Sequence, residues 1–292
     1  MPVVVTGASG LVGRHAVPAF ARVSPEVRAL VRRKETADAL RGPRVKVAVA
    51  WLSDIDNLAT VMAGAHTVCH LVGGLDSPDL EEAILGTLRP VLAAARRAEV
   101  KRLLYLSYPG ASPAAANPYL RLKGLAERSV EESGMEFAIV RSTHVYGPGS
   151  RWLEALAKQA RGRRSMVIGT GRQVLAPVFV EDVAQVLAAA DDREPLDPGV
   201  WGLEGPDRVT ADGLADLLAG RRIPKFHGPP RFVARLARLT GQRITRAMAE
   251  ILAADSLADA PDAAGEFGVE RTSLREGLAR SLPGGQAVSA PE

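Results

Sequence analysis

Short apolar runs along the chain alternate with longer stretches in which apolar residues recur every three to four positions, the pattern of a parallel sheet covered by helices on both faces. Val3–Thr6 is four β-branched residues in succession, which reads as a strand buried on both sides. It passes into Gly7-Ala8-Ser9-Gly10-Leu11-Val12-Gly13 and then into a helix expected over residues 11–22. Further strands are expected at Val27–Val31, 45–50, 67–72, Arg102–Ser107 and 137–141, with helices between them. After Ser142 the alternation stops. Tyr146-Gly147-Pro148-Gly149 marks a loop, a helix is expected over 153–160, and a strand over 176–180. Beyond Gly205-Pro206 the segments become helical and basic. The expected fold class is therefore α/β: a Rossmann-type doubly wound parallel sheet with a small, mainly helical C-terminal lobe. Residues 1–143 should form the core, with 174–203 returning to it. Residues 144–173 and 204–282 should build the lobe, and 283–292 a disordered tail. No internal repeat at a fixed period is found.

Composition narrows the class. A chain of 292 residues with 47% hydrophobic content can bury a sizeable core, which excludes a disordered or collagen-like protein. No apolar stretch reaches the roughly 18 residues of a membrane span, and Val3 lies too close to Met1 for a leader peptide, so a cytoplasmic location is expected. Cys69 is the single cysteine, and with five scattered histidines no metal site is expected. The net charge is +4, yet between Arg221 and Arg246 there are eight Lys/Arg and no acid, so the remainder is net acidic. Such a segment can attract nucleic acid, an acidic lipid surface or an anionic ligand. The preferred reading is plainer: a solvated helix face of Arg231, Arg235 and Arg238 opposite a packed Phe232, Leu236 and Leu239, with nucleic acid not expected as a partner.

The glycine loop points to chemistry. A tight turn from buried strand to helix needs glycine where a side chain would block the turn, the approach of a pyrophosphate, or the packing of the helix. Gly7, Gly10 and Gly13 meet those needs, with Thr6, Ser9, Leu11 and Val12 around them, and the helix amides face the phosphates. At the end of the second strand an acid would bind a ribose hydroxyl, whereas arginine accepts a 2′-phosphate. Arg32 and Arg33 stand there, and Arg14 follows the third glycine, so NADP(H) is expected over NAD(H).

Tyr119 and Lys123 are four apart in an expected helix and share one face. A tyrosine is a poor acid–base group at neutral pH, and a neighbouring ammonium favours its phenolate form. The pair can pass a proton to or from a carbinol oxygen while hydride moves at a nicotinamide.

Together these residues resemble the short-chain dehydrogenase/reductase superfamily, in its extended and atypical branches. Thr6 to Arg14 resembles the opening fingerprint, and His70-Leu71-Val72-Gly73 the fourth-strand motif against the cofactor. Tyr119-Leu120-Arg121-Leu122-Lys123 with Glu127 resembles the catalytic helix, and Arg141 to Gly149 the loop over nicotinamide and substrate. Val178 to Ala184 resembles a later structural motif. Within the superfamily the likeness is to the NmrA-like group and the accessory NADPH-binding subunit of respiratory complex I. The resemblance implies cofactor contacts from Leu52, Leu71, Lys123, Ser142 and Val145. His70 and His144 are expected near the nicotinamide mouth, each either an auxiliary acid or, as is commoner, a histidine satisfied by a backbone partner, with His144 also a candidate substrate contact; Tyr146 and Trp152 either line the substrate mouth or pack the lobes together. The resemblance also leaves a homodimer open. Three positions depart from the pattern: Trp51-Leu52 replaces an Asp-Leu pair, Ser142 replaces a proline, and Pro109 stands where the catalytic Ser or Thr belongs. Ser107 or Ser112 would have to substitute for it.

The leading expectation is an NADPH-dependent oxidoreductase that passes hydride to a small organic carbonyl or related unsaturated group. Tyr119 serves as proton donor, and Lys123 holds the ribose and lowers the tyrosine pKa. The alternative is an NADP(H)-binding regulator or assembly protein without turnover. An epimerase or dehydratase of a nucleotide-linked sugar ranks third.

Overall fold

A computed structural model describes residues 1–239 and 244–282, and the segment expected as a disordered tail lies outside them. The strands are β1 (Val3–Thr6), β2 (Val27–Val31), β3 (Val45–Val49), β4 (Thr67–His70), β5 (Arg102–Ser107) and β6 (Glu136–Ser142). Helices α1 (Leu11–Val23), α2 (Ile55–Met62), α3 (Thr87–Arg97) and α4 (Pro118–Glu131) connect them. A seventh strand, Gly199–Leu203, joins the far edge beside β6, and the order across the sheet is Gly199–Leu203, β6, β5, β4, β1, β2, β3, all parallel. Strand order reverses between β1 and β4, which opens the crevice where doubly wound sheets bind ligands. On one face α1 packs on the helix Val180–Asp192, and on the other α2, α3 and α4 lie side by side. β1, β4 and nearly all of β5 are buried, as a strand covered on both faces must be.

Contacts divide the chain into two units. The first is Met1–Ser142, Val180–Leu203 and Asp259–Glu270, and the second is Thr143–Phe179, Glu204–Ala258 and Arg271–Glu292. The return to the first unit thus falls at Val180. The strand expected over 176–180 shrinks to Val178–Phe179, paired with Val145–Tyr146, because the helix Val180–Asp192 starts at once with Glu181 and Asp182 in its first turn. The second unit holds five helices of seven residues or more among its described residues, and short two-stranded pairs. Its core includes Tyr146, Leu153, Phe179, Leu214 and Leu278. In the helix Pro230–Leu239 the expected packing is reversed at Phe232. Val233 and Ala234 are buried, while Phe232 is 59% exposed beside exposed Arg231 and Arg235. The side chains of Leu236, Arg238 and Leu239 lie outside the described set.

Candidate active site

At the C-terminal end of β1, Gly7 takes φ +72°, a conformation that favours glycine. A Cβ there would lie 3.1 Å from the Leu71 carbonyl carbon and from Val72 Cγ2, just past β4. The Gly10 amide donates to Gly7 O at 2.9 Å and closes the turn. A Cβ on Gly13 would sit 2.2 Å from Gly7 O and 2.6 Å from Ala8 Cα, so α1 packs directly on the turn only because Gly13 lacks one. Gly10 caps α1 without a side-chain bond, and the first turn carries no acid. The first amides of α1 are thereby left to an anion. A cradle that a Cβ would fill, open helix amides and exposed Ser9 fit a dinucleotide pyrophosphate.

Arg32 and Arg33 follow β2, and Arg14 lies in the first turn of α1. All three are exposed, and among the described residues none makes an ion pair. Leu52 is buried in the turn after β3, and Trp51 beside it is 65% exposed. Leu11, Val12 and Leu71 are half-buried.

Asn117 caps α4 by accepting from the Tyr119 amide at 3.0 Å, and Pro118 occupies the first helical position, so the helix starts where it must to aim Tyr119 inward. Tyr119, Lys123 and Glu127, at intervals of four, form one buried face. Lys123 Nζ donates to Leu106 O at 2.8 Å and to Tyr105 Oη at 3.2 Å, and lies 5.9 Å from the Tyr119 ring centre. Burial lowers its pKa to about 7 against a smaller opposing pull from Glu127. Burial also raises the Tyr119 pKa, and Tyr108 and Asp76 add to the rise. The expected phenolate is therefore not what this arrangement favours. Desolvation outweighs a lysine that is itself half discharged at neutrality and turned toward β5, so Tyr119 is held as the phenol.

Lys123 and the glycine turn meet the same short segment. A Cβ on Gly73 would lie 3.5 Å from Lys123 Nζ, two residues beyond the Leu71 that abuts Gly7. Tyr105, which carries no motif in the sequence beyond its place in an expected strand, belongs to this cluster. Thr6, His70 and Tyr105 are register partners across β1, β4 and β5. Thr6 Oγ1 and His70 Nδ1 share a hydrogen bond of 2.8 Å, and the His70 ring lies 6.0 Å from Tyr105 at 13° between planes. Burial lowers the His70 pKa to about 3, helped by the Lys123 charge, so this ring stays neutral and is not an auxiliary acid.

Ser107 ends β5 with its Oγ buried and without a hydrogen-bond partner among the described residues. Ser112 is fixed elsewhere: its amide donates to Leu120 O at 3.2 Å, and only glycine at 124 lets its backbone seat on α4. Pro109 is buried in the loop between them. Ser142 is buried at the end of β6 opposite Leu203. Its neighbour Arg141 grips buried Glu127 through Nε at 3.0 Å and Nη2 at 2.6 Å, and Asp259 through Nη1 at 3.1 Å. This clamp ties α4 to β6.

His144, Val145, Tyr146 and Trp152 belong to the second unit. Tyr146, open between a substrate contact and a packing role, sits in the core of the second unit: it is 1% exposed, lies 5.6 Å from Phe179, and directs its hydroxyl at Ser273 O and Leu274 O. His144 Nδ1 and Ser256 Oγ share a bond of 2.8 Å, and its ring lies 5.2 Å from half-buried Trp152. Burial lowers its pKa to about 4, so it too is neutral at pH 7. Val145 is half-buried.

The chain belongs to the NAD(P)H-binding family, whose model matches residues 7–193. Among curated relatives, ceramide reductase of Caulobacter vibrioides is 31% identical over 64% of this chain and 60% of its own length. The mitochondrial NADH dehydrogenase (ubiquinone) 1 alpha subcomplex subunit 9 of Arabidopsis thaliana is 28% identical over 73% of this chain and 56% of its own. The chain thus spans less than two thirds of these relatives, and the second bears out the resemblance to the complex I accessory subunit. Among solved structures, the Citrobacter sp. triphenylmethane reductase complexed with NADP(H) superposes with a TM-score of 0.80 at 19% identity, covering 97% of this chain and 100% of that one. That likeness shows the fold. No helix among the described residues is long and apolar enough to cross a membrane.

Proposed function

We propose that this chain is an NADPH-dependent reductase of a small organic carbonyl or related unsaturated group, acting in the cytoplasm. The observation that carries the reading is the segment 71–73, which abuts the glycine turn on one side and Lys123 on the other, so that a dinucleotide site and a buried Tyr-Lys helix adjoin. Gly7, Ser9, Gly10 and Gly13 cradle the pyrophosphate, with Thr6, Leu11 and Val12 lining the turn. Arg14, Arg32 and Arg33 take a 2′-phosphate, and Leu52, Leu71 and Ser142 border the rest of the cofactor. Bound there, the reduced nicotinamide supplies hydride to the substrate carbon. Tyr119, kept as phenol by burial, gives its proton to the substrate oxygen as negative charge develops there, and recovers it from water. Lys123 steadies the ribose and the tyrosinate that remains. Ser107 Oγ, buried with its hydrogen-bonding capacity unspent, is the hydroxyl available to the substrate oxygen where Pro109 offers none.

Reductase names among the relatives support this reading. Turnover of NADPH against a panel of ketones, enones, quinones and imines tests it. Tyr119→Phe should lower kcat by about a hundredfold or more with little change in NADPH affinity, and full activity would refute the proton-donor role. Arg32→Asp should shift the NADPH/NADH affinity ratio by about tenfold toward NADH, and an unchanged ratio would reject the 2′-phosphate assignment. Pro109 favours a second reading, a nucleotide-binding regulator or assembly protein. Tight NADPH binding with no turnover on any panel member would select it.

A further inference from the structure

From Ala155 to Val180 the chain carries five Lys/Arg and no acid, and from Arg221 to Arg246 eight and no acid. Folding of the second unit brings part of each stretch, 163–168 and 221–228, together. Strands Ser165–Ile168 and Lys225–Gly228 pair in parallel with Ser165 opposite Lys225. The arginines just ahead of each strand, Arg163 and Arg164 on one and Arg221 and Arg222 on the other, therefore converge at one end of the ribbon. Arg221 Nη2 donates to Gly162 O at 3.1 Å and holds the two loops together. These four side chains are exposed. The acids that reach the ribbon are already engaged, Asp216 by Lys225 at 2.6 Å and Asp212 by His227 at 2.9 Å. Among the described residues, none of the four arginines makes an ion pair.

Two phenylalanines are exposed, one in the ribbon and one in the helix that follows it. Phe226, in the ribbon, is 54% exposed with the Arg164 guanidinium 5.1 Å above its ring, and Phe232, in the first turn of Pro230–Leu239, is 59% exposed. Guanidiniums without ion pairs and partly exposed phenyl rings cost free energy in water: the charges repel, and the rings order solvent. An anionic bilayer surface relieves both, with headgroup phosphates for the arginines and the acyl boundary for the rings. We propose that this ribbon and the first turn of Pro230–Leu239 dock the protein on an anionic lipid bilayer. A single-stranded nucleic acid fits less well, because bases need open ring faces to stack on, and Arg164 already covers one face of Phe226. Insertion of the ring edge leaves that pairing in place. This inference does not depend on the reductase reading.

The test is sedimentation of the full chain with vesicles of phosphatidylcholine alone or mixed with phosphatidylglycerol, at low and high salt. The expected result is retention on the anionic vesicles alone, reversed by salt. Replacing Arg163, Arg164 and Arg222 together by Gln should weaken retention about a hundredfold, at roughly fivefold per arginine. Phe226→Ser with Phe232→Ser should weaken it about tenfold at unchanged charge. All five positions are exposed, so unchanged circular-dichroism melting will show that both variants fold. Equal retention on neutral vesicles would overturn the proposal, as would wild-type retention of the phenylalanine variant. Displacement from vesicles by a single-stranded oligonucleotide would assign the surface to nucleic acid instead.

Discussion

Lys123→Met isolates the electrostatic cost at the centre of the candidate site. In the unfolded chain a lysine keeps its proton to about pH 10, whereas burial in the fold lowers this one to about 7. Between those values the unfolded chain binds the extra proton, so this group makes stability rise with pH, by about 1.4 kcal/mol per unit where the difference is complete. The folded lysine is half protonated at the start of the window, which reduces the gain between about pH 7 and about pH 9 to about 2 kcal/mol. Below the window the ammonium is carried at full cost, and above about pH 10 the cost is gone. Methionine cannot titrate, so the stability of wild type minus variant should climb by that amount. Its absolute value mixes in another effect: Leu106 O and Tyr105 Oη lose their donor, at about 1–3 kcal/mol for a buried group left unpaired. The slope is therefore the diagnostic quantity. Urea unfolding of both proteins at several pH values gives it directly, with m-values checking that the unfolded states are comparable. A flat difference would refute the reasoning and mean that water reaches Nζ well enough to keep its ordinary pKa.

Gly13→Ala should cost about 1–3 kcal/mol and lower NADPH affinity at least about tenfold, because the new Cβ meets backbone atoms that move only if α1 does. Gly10→Ala meets a single carbonyl at 3.1 Å and should cost less than about 1 kcal/mol. Equal losses in denaturant unfolding would reject the packing argument. In the second unit, Gly277→Ala places a Cβ 2.2 Å from the Tyr146 hydroxyl and should cost about 1–3 kcal/mol. Tyr146→Phe in the same chain removes the nearest of three obstructing atoms, leaving Cζ and Cε2 at 2.8 and 2.9 Å, and should recover part of that loss, so strict additivity in the double-mutant cycle would show that the helix Leu274–Ser281 simply shifts aside.

Strands β1 and β4 and the inner part of β5 were legible because a parallel sheet covered on both faces demands apolar runs, and such runs stand out between glycines and polar helices, whereas the exposed edge strand β3 was legible from its three valines. Gly199–Leu203 was not, since an edge strand with glycine at two of its five positions and half-exposed residues carries no such run. Within the site, the glycine turn and the Tyr119/Lys123 face are local, set by spacings of three and four along one segment. Tyr146 stayed open between two roles because Tyr-Gly-Pro-Gly reads as a loop, and only long-range packing puts its ring in the second unit's core.

Taken alone, the sequence determined the element types, the sheet class, the glycine turn after β1 and the pairing of Tyr119 with Lys123, all consequences of short-range pattern. Only the tertiary structure decided which groups those residues face. Register across three strands sets Thr6, His70 and Tyr105 in a row, and burial beside them discharges Lys123 and keeps Tyr119 protonated. Strand pairing likewise brings Arg163 and Arg164 to Arg221 and Arg222. The physical reason is the same in each case: charge state and exposure depend on solvent exclusion by residues distant in the chain, which no local spacing records.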